Sequence, residues 1–362
     1  TDMGARTIKL ESPLPNHERS QASFSVWNRG KESVTADLET PGGRALALRL
    51  AQEADVVLSS FPSRRARALG LDYPSLRRAN ERLIYCSLSA YGEAGPMSLK
   101  PTTDAVVAAE SGIMGEQGGV GQAPVYIVLP LPSYGAALLA AYAVCAALFA
   151  READGQGQKI EISLLSGALA MNTGNAVTGP GITPVGGERR KPTGVIPVYR
   201  LYRCRDHWLF LGCAHNVFWN KLCLVLGLEE FLADPRFDNA PWGITAPEDQ
   251  DALAAIIGDK LCSQPRDYWL KLFQEADVPC APVLTREEAF LDPQVEHNRM
   301  VVMVKDPALG EMRQMGIPVA LSQTPGRVQG PAPRQGQHTR EVLQGLGYGP
   351  EEIARLRREG AI

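Results

Sequence analysis

Two spacings of apolar residues take turns along the first half of the chain. Leu and Ala recur at three- and four-residue steps in GGRALALRLAQEA, residues 42–54, and the apolar run DVVLSSF follows at once. The first pattern predicts a helix with one buried stripe and the second a strand of a covered sheet. PSLRRANERL then leads into the strand-like LIYCSLSAYG. DAVVAAESGIM and YGAALLAAYAVCAALFARE predict two further helices, and GQGQKIEISLLSGALAMNTG runs from strand into helix. RTIKLE near the N-terminus is strand-like as well. Such alternation predicts an α/β domain with a mostly parallel sheet.

The pattern changes at residues 179–198, GPGITPVGGERRKPTGVIPV, where Gly and Pro cluster around a basic triplet and predict an exposed linker. Beyond it, VYRLYRCRDHWLFLGCA predicts a hairpin turning at Arg205-Asp206-His207. FWNKLCLVLGL, EDQDALAAIIGDKLCSQ and RDYWLKLFQEADV predict three helices, so a smaller α+β domain spans about 192–290. Ala308–Gly336, rich in Pro and Gly, leads to a helix-forming tail.

Composition narrows the function. With 362 residues, 44% of them apolar, the chain can bury a core, and Lys+Arg 37 against Asp+Glu 40 leave no excess of cations for nucleic acid. Cys86, Cys145, Cys204, Cys213, Cys223, Cys262 and Cys280 are odd in number and form no CxxC pair. They predict reduced thiols in a cytoplasmic protein, with neither a disulfide framework nor a zinc site. Residues 124–150 carry no charge, but Pro130 and Pro132 interrupt them, which predicts a buried core helix and no membrane partner. TDMGARTIKLESP has no signal-peptide pattern and looks like the middle of an element, as though a strand and helix belonged ahead of it.

The residues alone offer no strong catalytic motif. GxGxxG after a strand, a Walker loop, HExxH and GxSxG are all absent, and the five histidines stand apart, so no metal is expected. Arg64, Arg65 and Arg67 follow the strand end at Phe61, where open α/β sheets take ligands; a phosphate contact and a solvated helix face both fit.

Many segments in one order carry more information. NRGKESVTADLETPGGRALALRLAQEADVVLSSF, YPSLRRANERLIYCSLSAYGEAGP, DAVVAAESGIM, GQGQKIEISLLSGAL, LADPRFDN, ADVPCAPV and the tail from PGRVQGPAPRQGQHTREVL resemble the family III CoA-transferases, the CaiB/BaiF family. The resemblance implies a Rossmann-like large domain over 1–182 without its usual leading strand and helix. It also implies a small domain over 192–290, a segment 300–362 returning to the large domain, and two chains interlocked as a dimer.

Family transferases work through an aspartate whose carboxylate attacks an acyl-CoA thioester. By resemblance that aspartate lies just before the Ala-rich helix, where this chain reads Leu131-Pro132-Ser133-Tyr134-Gly135 and so holds Ser133. An ester on Ser133 cannot return its acyl group to CoA at comparable cost, and no base adjoins it in the motif, so a helix N-cap is its plainer role. The family's Tyr-Asp or Tyr-Glu pair is Thr103-Asp104 here, and no His stands beside Asp104 as the racemase branch requires. CoA contacts carried over by resemblance are Leu38, Ser60, Phe61, Pro62, Arg65 and Leu69. Glu39 replaces a basic residue, Ser60 an Asn and Ala68 an Arg, which weakens attraction to a nucleotide; Arg65 or Arg67 is placed to compensate.

These departures predict a catalytically silent subunit of a heteromeric CoA-transferase. Its homologous partner carries the aspartate, and CoA or acyl-CoA is a substrate that this chain does not hold tightly. Two-subunit members that act on aromatic succinates such as benzylsuccinate are the nearest analogy. A lyase, dehydratase or isomerase using Asp104 as base, and a non-enzymatic binding protein, are the alternatives.

Overall fold

The structure is a computed structural model and describes residues 1–119, 121–174, 177, 179–182 and 191–362. The expected linker, 179–198, falls partly on residues 183–190, outside the described ones. The fold is α/β and divides into two compact units. One comprises residues 1–101, 136–164 and 286–362, the other residues 102–135 and 165–285.

In the first unit β1 (Ile8–Glu11) and β2 (Glu32–Thr35) pair in parallel, Ile8 opposite Glu32. β3 (Val56–Ser59), β4 (Ile84–Ser89) and β5 (Lys159–Ser163) form a parallel sheet in that order. The helix Pro41–Glu53 starts where sequence chemistry places it. The Thr40 hydroxyl accepts from Gly43 N, and Pro41 fills the first turn, where its missing amide hydrogen costs nothing. Its buried Leu46 meets Val34 and Ala36 on one side and Val342, Leu343, Ile353 and Leu356 of the C-terminal helices on the other. Asp37 N donates to Ala361 O at 2.9 Å, which ties the tail to the turn after β2. Leading into the Pro- and Gly-rich stretch the structure adds a hairpin, Val301–Asp306 with Gly310–Met315, whose turn is made by Asp306 accepting from Ala308 N and Leu309 N.

The helix Leu131–Asp154 corrects the expectation of a buried core helix. Ala136, Ala140 and Ala147 do pack on Ile84, Cys86, Ile160 and Ile162 of the sheet. Arg151, itself buried, pairs with Asp55 at 2.8 Å and donates to Arg82 O, fixing the far end of the helix below the strands. Its other face is open: Leu138, Tyr142 and Phe149 are 63%, 75% and 82% exposed. Only 22% of its most apolar window is buried, although by length and composition the helix suffices to cross a membrane. A stripe of small Ala residues suits close packing on one sheet only, and the larger side chains fall on the opposite face.

The second unit carries an antiparallel sheet of β6 (Gly194–Ile196), β7 (Tyr199–Arg203), β8 (Trp208–Gly212) and β9 (Cys280–Pro282). The hairpin turns at Arg205-Asp206-His207 as expected, and Asp206 Oδ1 accepts from His207 N and Arg266 N. Tyr202, Leu209 and Leu211 point to a core shared with Trp219, Leu222, Leu253, Ile257 and Phe273 of three helices, Asn216–Leu226, Pro247–Cys262 and Arg266–Glu275. The expected single helix over DAVVAAESGIM is two, Asp104–Glu110 and Ile113–Gly118. Gly112 between them adopts φ 85°, a left-handed conformation that breaks the helical ladder and suits glycine.

Candidate active site

Two prolines shape the first turn of the long helix. Pro130 and Pro132 have no amide hydrogen, so the exposed donors of the turn begin with Leu131 and Ser133. Leu131 N donates to Leu129 O at 2.8 Å, and Ser133 N donates to Oδ2 of Asp104 at 2.8 Å. Ser133 therefore does not cap the helix. The helix opens two residues earlier, at Leu131, because proline is favoured in a first turn, and the carboxylate of Asp104 closes the free amide from outside. An anion at that end is also favoured by the helix dipole.

Asp104 is the first residue of its own helix and is held by the buried Val107 and Ala108 one turn on. Among the described residues its second oxygen takes no hydrogen bond, and the half-buried Ser133 hydroxyl takes none either. The carboxylate thus grips the backbone of Ser133 and does not serve as base to its hydroxyl. Gly135 presses the same turn onto the helix Leu164–Met171, since a Cβ there would lie 2.4 Å from Gly167 O. What this arrangement offers chemically is one carboxylate with a free oxygen beside an unactivated hydroxyl.

The carried-over CoA residues gather in the first unit at the carboxyl ends of β2 and β3. Phe61 and Leu38 lie half-buried against the core, and Leu69 is inside it with Leu71, Leu76 and Leu83. Ser60 and Pro62 are exposed, and Phe61 N donates to the buried Ser59 hydroxyl. In the helix Ser63–Leu69 Ala66 and Leu69 turn inward, which leaves Arg64, Arg65, Arg67 and Ala68 outside. Arg65 Nη2 pairs with Glu39 Oε1 at 2.7 Å, with 54% and 68% of the two side chains exposed, and its guanidinium lies 5.8 Å from the Phe61 ring centroid. Arg44 donates to Leu38 O and Glu39 O at 3.0 and 2.9 Å.

Sequence reasoning noted both Glu39 and Arg65 but missed their pairing, and it missed the bond from Ser133 N to Asp104. Both join residues 26 or 29 positions apart, and no local spacing signals either. It also missed Glu93, which pairs with Lys159 at 2.5 Å where β4 and β5 adjoin. Burial works against the Glu93 charge, yet Lys159 and the Ser87 hydroxyl hold its carboxyl below the usual range. Among the described residues no three His, Cys, Asp or Glu side chains are grouped to hold a metal ion.

Residues 1–339 match the family described as CoA-transferase family III. An acyl-CoA transferase of Fusarium pseudograminearum is 32% identical over 94% of this chain and 74% of its own. The acetyl-CoA:oxalate CoA-transferase of Acetobacter aceti is 31% identical over 89% and 83%. Among solved structures, a CaiB/BaiF family protein from Brucella suis superposes with a TM-score of 0.83 at 27% identity, over 95% of this chain and 93% of that one.

Proposed function

The chain belongs to CoA-transferase family III, and from that premise we propose that it is the non-nucleophilic subunit of a heteromeric transferase. The complex moves CoA from an acyl-CoA such as succinyl-CoA to an organic acid. The observation that carries this reading is Ser133 itself. The position that resemblance gives to the nucleophile holds a hydroxyl without a base, and the nearby carboxylate, Asp104, is committed through one oxygen to the helix amide. Acyl exchange with CoA needs an acyl group activated on a carboxyl oxygen, which a serine ester does not provide.

One further observation supports a partner and one the acceptor class. The exposed Leu138, Tyr142 and Phe149 give the long helix an apolar face that a second chain would cover, as the interlocked assembly implied by resemblance requires. The activity named for the Acetobacter aceti relative uses a dicarboxylic acid as acceptor. A dicarboxylate, aromatic succinates included, is accordingly the acceptor class proposed here.

A second reading has one specific point in its favour: the free oxygen of Asp104 could act as a base in a lyase, dehydratase or isomerase reaction. Isolation of the protein from its source separates the two. The proposal expects a homologous subunit to co-elute, no CoA exchange by this chain alone, and loss of activity when the partner's aspartate is replaced by Asn, while Ser133→Ala in this chain keeps most of it. A fully active homodimer of this chain contradicts it.

A further inference from the structure

Building on the reading that this chain holds CoA only weakly, we infer that Glu39 sets its affinity for the anionic nucleotide end of the ligand, by acting as a built-in anion that occupies Arg65. Open α/β sheets take charged ligands beyond the carboxyl ends of their strands. In the first unit β2 and β3 belong to separate sheets, and the turns beyond their carboxyl ends, Leu38-Glu39-Thr40 and Ser60-Phe61-Pro62 with the helix after it, are joined by the Arg65–Glu39 pair.

The cations at this edge are unequally available. The Arg44 guanidinium is used on Leu38 O and Glu39 O, so it stiffens the turn after β2. Arg65 lies one helical turn before Ala68 and on the same exposed side, because Ala66 and Leu69 face the core. A guanidinium there is placed to serve where Ala68 cannot. Its Nη2, however, is bound to Glu39 Oε1 at 2.7 Å.

A phosphate that approaches Arg65 must displace this carboxylate and then remain beside it. Both steps disfavour an anion: the first removes a charge-assisted hydrogen bond and the second sets like charges together. Neither step disfavours an uncharged ligand. Because the pair is more than half exposed, the effect is moderate and falls with salt. Glu39 is therefore a specificity-determining residue with no part in bond making.

The test is equilibrium binding to the full chain, in the assembly in which it purifies, with CoA, dephospho-CoA and pantetheine as probes. Glu39→Gln should tighten CoA about fivefold and Glu39→Lys about tenfold or more at low salt. Dephospho-CoA, with fewer charges, should gain less, and pantetheine should not change. Adding Arg65→Ala should remove the gain of Glu39→Gln, whereas Arg65→Ala alone should leave wild-type binding nearly as it is. Unchanged CoA affinity in Glu39→Lys, an equal gain for pantetheine, or a gain that survives Arg65→Ala each overturns the inference. The readout is binding, so a chain that proves to exchange CoA by itself would end the silent-subunit reading without touching this result.

Discussion

The neighbourhood of Ser133 in the second unit and the edge around Arg65 in the first are the two places where the proposed function has this chain depart from the family pattern, and they differ in whether a neighbour can replace the missing group. A nucleophile must present one atom at one point. Asp104 stands close to Ser133, yet its carboxylate is fixed on a backbone amide by a rigid turn, so proximity does not restore the missing role. A phosphate-binding cation acts over several ångströms, and a side chain one turn away can supply it. Arg65 is such a side chain, and its charge is held by Glu39. On the proposed reading, loss of a point function is therefore final, whereas loss of a field is adjustable.

The largest way to set the two units apart is alkaline pH. The core of the second unit contains Cys204, Cys213 and Cys223, with Cys280 packed against it, and burial pushes their thiols up to about 11, 12, 12 and 11. Nearby carboxylates add to the effect at Cys204 and Cys223. A folded-state value above the unfolded one means that the unfolded chain gives up its protons first. The contribution is then complete below the ordinary thiol range, roughly 8.5, and is lost as pH rises toward the folded values. The first unit holds a single buried thiol, Cys86, also raised by burial. Hydrogen exchange followed from pH 8 to 11 should show residues 196–280 losing protection before residues 32–90. The reverse order would count against the account.

The rigid turn can also be forced. Gly135→Val places a side chain against Gly167 O, where a Cβ alone would sit at 2.4 Å, and should cost about 1–3 kcal/mol of stability in denaturant unfolding. Asp104→Ala removes the acceptor of Ser133 N and should cost about 1 kcal/mol, while Asp104→Asn keeps an acceptor and should cost less. Equal losses for Ala and Asn would show that the side-chain oxygen does not hold the turn. At the exposed edge, Glu39→Gln should shift stability by less than about 1 kcal/mol, and the shift should shrink in 0.5 M salt.

Legibility in the sequence followed the range of the interaction. The helix Pro41–Glu53 was readable because the Leu and Ala spacing of residues 42–54 is a local signal, and the hairpin at Arg205-Asp206-His207 was readable for the same reason. The break at Gly112 and the hairpin Val301–Met315 were not: the first depends on one glycine's backbone conformation and the second on the Asp306 side chain accepting from two amides of the turn. Spacing could announce a long apolar helix but could not say that Leu138, Tyr142 and Phe149 stay uncovered within this chain. Resemblance drew attention to Ser133. Its grip by Asp104, made across 29 residues, was not legible.

The central claim is that neither the acyl anhydride nor the CoA thioester intermediate forms on this chain, and covalent trapping of the thioester tests it most directly. The complex isolated from its source is mixed with succinyl-CoA, the enzyme-bound CoA thioester is reduced with borohydride, and mass spectrometry locates the carboxyl group converted to an alcohol. The account predicts the mark on an aspartate of the homologous partner and on no residue of this chain; a mark on Asp104, or on any other carboxylate of this chain, would contradict it.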